Sequence, residues 1–241
     1  MPYEHIHYLP VGWPLFAVLA LVVVALAFLF GIRVLHSVYV SLGVSSGVAV
    51  LLLIGTLVGG AINVPLAQFY EPRIIHATQF DAFGEAYQTP AEVDWPGTVI
   101  AANVGGAIIP TLMSLYLLVR FGFWGRGAVA VGAVALLCHA LATPVPGLGI
   151  ALPAFAPGIA AGAAGLLLSR RLAAPIAYVS GSLGTLIGAD LMNLDKLQTM
   201  GASVASIGGA GTFDGVFLAG VIAVIIASLS PFHGRIAEAQ R

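Results

Sequence analysis

Residues 173–218 read AAPIAYVSGSLGTLIGADLMNLDKLQTMGASVASIGGAGTFDGVFL, and the fold and site are read outward from them. Two acids, Asp190 and Asp214, stand inside or at the edge of apolar, glycine-laced runs. A carboxylate in such a run is costly wherever lipid replaces water, and its retention is a sign of function.

The surrounding composition says that lipid does replace water. Of 241 residues, 59% are hydrophobic and 8% charged, 30 are glycine, and the mean hydropathy is +1.02. An ordinary soluble domain carries far more charge. The expected fold class is therefore all-α, a polytopic transmembrane helical bundle. A net charge of −1 with scattered Lys and Arg offers no basic patch for a phosphate backbone, which excludes nucleic acid as a partner. The single cysteine, Cys138, excludes an internal disulfide and any multi-cysteine metal site, and reads as a small apolar core residue. The amino terminus, MPYEHIHYLPVGW, lacks a basic leader and precedes an apolar run too long for a signal peptide, so the first segment is expected to be retained.

A spanning helix needs about 20 apolar residues at about 1.5 Å each. About seven segments meet that length: 13–32, 42–64, 97–119, 128–144, 150–169, 173–194 and 213–230. Lys and Arg accumulate in cytoplasmic loops. Arg33, Arg120, Arg126, Arg170, Arg171, Arg235 and Arg241 fall on one side and only Arg73 and Lys196 on the other, which puts the amino terminus outside and the carboxyl terminus in the cytoplasm. The chain then forms a single integral membrane domain over 1–241, with a long extracytoplasmic connection at 68–96. Its aromatic and apolar positions suggest an amphipathic helix or flap lying on the outer surface, with a plain solvated loop as the alternative.

In that topology the polar and helix-breaking residues gather in the outer half of the bilayer. They include Asn63 and Pro65, Asn103 and Pro110, His139, the proline-rich link around Pro153, Asp190 with Asn193, and Asp214. Irregular backbone at membrane depth is tolerated only where protein or a water-filled cavity satisfies it, so an outward-opening cavity ringed by these residues is expected. Gly181, Gly184 and Gly188 form a small-residue stripe for close helix packing. The stretch SVASIGGAGT is too glycine-rich for a helix and too apolar for a solvated loop, and is expected to re-enter the membrane and lend backbone groups to the site.

Three functions fit these residues. Two carboxylates about 3 to 6 Å apart in low dielectric cannot both ionise cheaply and share a proton, leaving one acid and one base. An intramembrane aspartyl-type protease would use Asp190 and Asp214 this way, with Gly188 and Gly215 admitting a substrate backbone and Asn63, Asn103, Asn193 and Pro153 lining its path. Its partners would be membrane lipid and a single-span membrane protein or peptide. A secondary transporter would use the same acids and the proline- and glycine-broken helices to bind an ion or solute. In a non-catalytic assembly factor the acids would be polar glue between helices. The other polar residues have plainer readings. His5 and His7 lack a third ligand, His139 reads as a hydrogen-bonded core residue, Asn63 and Asn103 read as caps of broken helix ends, and Asp195 beside Lys196 reads as an interfacial charge pair. No P-loop, nucleophile elbow, HExxH or CxxC occurs, and no cofactor or metal is expected.

The segments PVPGLGIALPAF, AYVSGSLGTLIGADLMNL and SIGGAGTFDGVFLAGVIAVIIA resemble a family of bacterial and archaeal membrane proteins catalogued as domain of unknown function sixteen-fourteen. The likeness continues more weakly through GGAINVPL and NVGGAIIP. This resemblance implies a multi-pass protein of the plasma (inner) membrane of a prokaryote and no particular activity. The two acids on successive spans also resemble, more loosely, the presenilin and signal-peptide-peptidase class, which would imply Asp190 and Asp214 as a catalytic pair. The chain departs from that class. Gly188-Ala189 precedes Asp190, no Tyr precedes either acid, and Leu152-Pro153-Ala154 lies before the acids rather than after them.

Overall fold

The computed structural model describes residues 13–69, 73–80, 86–93, 98–145, 149–199, 204–209 and 215–229. Two apolar helices come first, α1 (Trp13–Ser41) and α2 (Ser46–Gly59). Three strands follow, β1 (Asn63–Phe69), β2 (Arg73–Phe80) and β3 (Ala86–Val93), and then β4 (Thr98–Asn103). Helix α3 (Val104–Phe121) opens with a π-helical turn, Val104–Ile108, and α4 (Trp124–Leu141) returns. After the short strands β5 (Thr143–Val145) and β6 (Gly149–Ala151) come α5 (Ala156–Leu168) and α6 (Ala173–Thr185). Helix α6 loosens into a π turn, Leu186–Asp190, and a 3₁₀ turn, Leu191–Asn193, before α7 (Leu194–Thr199), β7 (Val204–Ile207) and α8 (Gly215–Ser228).

Each of the seven apolar segments contains a helix. Three helical stretches, Ala20–Ser41, Val104–Phe121 and Trp124–Leu141, are long and apolar enough to cross a membrane, and α2, α5 and α8 are shorter apolar helices. The all-α expectation needs correction, because short strands complete what the helices leave unfinished. Asn63 and Pro65, Asn103, and the prolines after α4 stop the helices early, and the freed backbone groups must then find partners. They find them in sheets. β1 pairs antiparallel with β4, and β4 pairs parallel with β7, in the order β1-β4-β7. Pro65, which lacks a donor, is accepted because β1 is an edge strand, and the register shifts beside it between Pro65 and Ala67. β5 pairs with β6. Of the options for the 68–96 connection, only the amphipathic helix is replaced: the described residues form an antiparallel β2-β3 pair, from Arg73 opposite Val93 to Phe80 opposite Ala86.

Helix α6 is the axis of the bundle. Every residue from Ala173 to Ser182 is buried, and α6 packs against α3, α4, α5 and α8. Ile176, Val179, Leu117, Val134 and Val224 are among the largest side chains wholly removed from the surface. Close approach depends on glycine. A Cβ on Gly181 would lie 2.9 Å from the Ala219 carbonyl oxygen of α8, one on Gly184 would lie 2.7 Å from Val134 Cβ of α4, and one on Gly188 would collide with the Ala135 carbonyl of α4. The expected stripe is thus divided between two neighbours, α8 at Gly181 and α4 at Gly184 and Gly188. Helix α1 contrasts with α6: its described side chains from Val18 to Phe30 are exposed and apolar on every side, as suits a helix surrounded by lipid.

Candidate functional site

The polar residues expected at the outer ends of the helices meet where the three-stranded sheet crosses the bundle. Asn103 ends β4 and caps α3. Its Oδ1 accepts from Gly106 N at 2.8 Å, and its Nδ2 donates to Gly60 O at 2.8 Å and to Asn63 Oδ1 at 3.1 Å. At 0% exposure, an amide with every such bond made is a fixed structural joint. Asn63, on β1, is exposed, and its Oδ1 also accepts from Ser206 Oγ on β7 at 2.7 Å. One amide oxygen therefore joins all three strands.

Ser206 Oγ lies 2.6 Å from Gly209 O as well. The chain turns here because Gly208 and Gly209 have φ of +83° and +78°, a left-handed conformation natural to glycine. A Cβ on Gly208 would lie 2.6 Å from Ala107 N, so the turn is seated on the first turn of α3. Its amide donates to Asp190 Oδ2 at 2.7 Å. The glycine-rich stretch thus supplies a backbone amide to the acid, as a strand followed by a turn.

Asp190 closes the π turn of α6 and is half-buried. Asn193, 1% exposed, turns back along the helix: Nδ2 donates to Gly188 O at 3.0 Å and Ala189 O at 2.9 Å, while Oδ1 accepts from Lys196 Nζ at 2.7 Å. It caps carbonyls released by the change in helical winding. Pro153 is exposed ahead of α5, and its carbonyl accepts from Ala156 N at 3.2 Å. Gly188 is packed under α4, and Gly215, exposed, begins α8. Asp214 lies outside the described residues, as do His5 and His7.

The structure therefore joins Asn63, Asn103 and Asp190 through the β7 turn, holds Asn193 on the same helix end, and leaves Pro153 apart. Ser206, Gly208 and Gly209 went unrecognised as members of the cluster, although a serine ahead of paired glycines is a turn signal. His139 Nδ1 is buried without a hydrogen-bond partner among the described residues, and Cys138 Sγ lies 3.8 Å from Thr185 Oγ1 in the core. No cluster of three or more His, Cys, Asp or Glu able to hold a metal occurs among the described residues. A cavity of about 630 Å³ lies between α2 and α3, lined from Gly43 to Arg120 and by none of the residues expected to ring an outer cavity.

Fold and composition together define a predominantly helical chain with helices long and apolar enough to cross a membrane, capped at one end by a small sheet and a polar cluster. Comparison of its sequence places it in a family: residues 57–226, more than two thirds of the chain, match the model of a protein of unknown function, DUF1614, and the chain belongs to that family. No curated protein and no solved structure matches it.

Proposed function

We propose that the chain is a multi-pass protein of the inner membrane of a prokaryote with about seven spans, amino terminus outside, and that its outer end is the ion-binding site of a secondary transporter with Asp190 as its carboxylate. Orientation is supported by Arg120, Arg126, Arg170 and Arg171, which stand at helix ends and links remote from the sheet.

The observation that carries the transporter reading is the oxygen crowding at Ser206. Its hydroxyl has one proton and faces two acceptors, Asn63 Oδ1 at 2.7 Å and Gly209 O at 2.6 Å, so one oxygen pair is left without a proton between them. The same turn holds the Asp190 carboxylate through the Gly208 amide, and surplus oxygens with a carboxylate are what a small hard cation binds. The interrupted windings of α3 and α6 around them follow the pattern of carriers that take ions at broken helices. The test uses the full chain in detergent and in vesicles. Sodium, compared with potassium at equal ionic strength, raises the melting temperature, radiolabelled sodium exchanges across vesicles, and D190N and S206A abolish both effects. A wild-type protein indifferent to sodium, lithium and protons in both assays overturns the reading.

The protease reading has one specific support: α8 begins at Gly215, the residue after Asp214, and Val216 shares a buried cluster with Leu186 of the turn that ends in Asp190. Cleavage of single-span reporter proteins that is lost in both D190N and D214N would favour it. Cleavage retained in both variants removes it, and the absence of flux and cleavage together leaves the assembly factor, with Asp190 and Asp214 as polar glue between helices.

A further inference from the structure

Helices α2 and α3 meet closely at one end, where a Cβ on Gly59 would lie 3.0 Å from Gly105 N. Toward the other end they separate, and the cavity of about 630 Å³ opens between them. Val48 and Leu52 line one wall, Ile109, Leu112 and Met113 the other, and Arg120 stands at the mouth. From Ile109 to Arg120 the groove follows α3 for roughly 16 Å at about 1.5 Å per residue. That matches one leaflet, half of a hydrocarbon core about 30 Å thick. The volume is that of a ligand site, typically about 300 to 1,000 Å³.

Arg120 is built into the mouth. Its Nη1 donates to Gly43 O at 2.6 Å and to Tyr116 Oη at 2.5 Å, and its guanidinium lies 5.6 Å and 5.3 Å from the ring centres of Tyr116 and Phe121. Among the described residues no carboxylate pairs with it. A guanidinium held in place by neutral groups, exposed at the end of a spanning helix, has donor edges suited to a phosphate.

We propose that this groove is a binding site for one anionic phospholipid, with an acyl chain between α2 and α3 and its phosphate on Arg120. The proposal rests on the membrane reading above and is independent of ion transport at the opposite end. The probes are phosphatidylglycerol and phosphatidylcholine added to the delipidated full chain and followed by native mass spectrometry, with glycerol phosphate as a headgroup-only competitor. Wild type retains one phosphatidylglycerol in preference to phosphatidylcholine. R120Q loses about fivefold in affinity for phosphatidylglycerol, the factor expected for one basic side chain at a headgroup surface, and R120K keeps most of it. L112W, at an exposed lining position, fills the groove and lowers binding of both lipids. Equal affinity for the two lipids, an unchanged preference in R120Q, or binding unaffected by L112W overturns the proposal, as does full displacement by glycerol phosphate. If R120Q fails to fold, R120K and L112W still decide.

Discussion

Asp190 accepts a hydrogen bond from a buried glycine amide, and two substitutions separate that bond from the carboxylate's charge. Asn in its place keeps an acceptor oxygen near the Gly208 amide, whereas Ala leaves that amide unsatisfied, which costs about 1–3 kcal/mol. D190A is therefore expected to lower the melting temperature in detergent clearly, and D190N to lower it much less while removing sodium stabilisation. Equal destabilisation by both would mean that charge, not the hydrogen bond, fixes the β7 turn. The distinction matters for the proposed site, because a folded D190N protein isolates binding from architecture.

Among the elements, α6 shows how glycine placement sets helix spacing. At Gly188 a methyl group meets the Ala135 carbonyl, whereas nothing lies within 4 Å of a Cβ on Gly132, on the outer side of α4. G188A is expected to destabilise by about 1–3 kcal/mol through overpacking. G132A is expected to be neutral or to stabilise by up to about 1 kcal/mol, the helix-propensity difference. Denaturation of both variants in the same detergent checks the contrast. The positions of α1 to α6 and of α8 were legible in the sequence, because long apolar runs report burial in lipid or core regardless of partner, whereas the short polar α7 was not anticipated. The endings were less legible. Asn63, Asn103 and the prolines were recognisable as helix breakers, but hydropathy cannot say that the broken ends would pair as strands, since β4 and β7 are short, mostly apolar runs like those of the helices. Asp190 and Asn193 were readable as polar residues out of place. That Asp190 would face an amide 18 residues later, and that Asn193 would cap its own helix, depended on a change from α to π winding that no spacing rule anticipates.

For the whole molecule, the proposed orientation rests on the distribution of arginines and is directly measurable. With Cys138 replaced by Ala, a cysteine at Thr78 in β2 is expected to react with a membrane-impermeant thiol reagent applied to intact cells, and R126C, in the first turn of α4, only after permeabilisation. The reverse pattern inverts the topology, and equal labelling at both positions removes Val104–Phe121 as a crossing helix.

The three-stranded cap also constrains the order of assembly. Its central strand, β4, ends at Asn103, and the strand that covers its second edge begins at Val204, after five further helices, α3 to α7, have been made. Until the ribosome has released those later residues, β4 offers a raw row of amides and carbonyls, open to mispairing. Completion of the cap is thus a late, long-range closure, and a nascent chain halted before Val204 would hold its first helices without the clasp that fastens beginning to end.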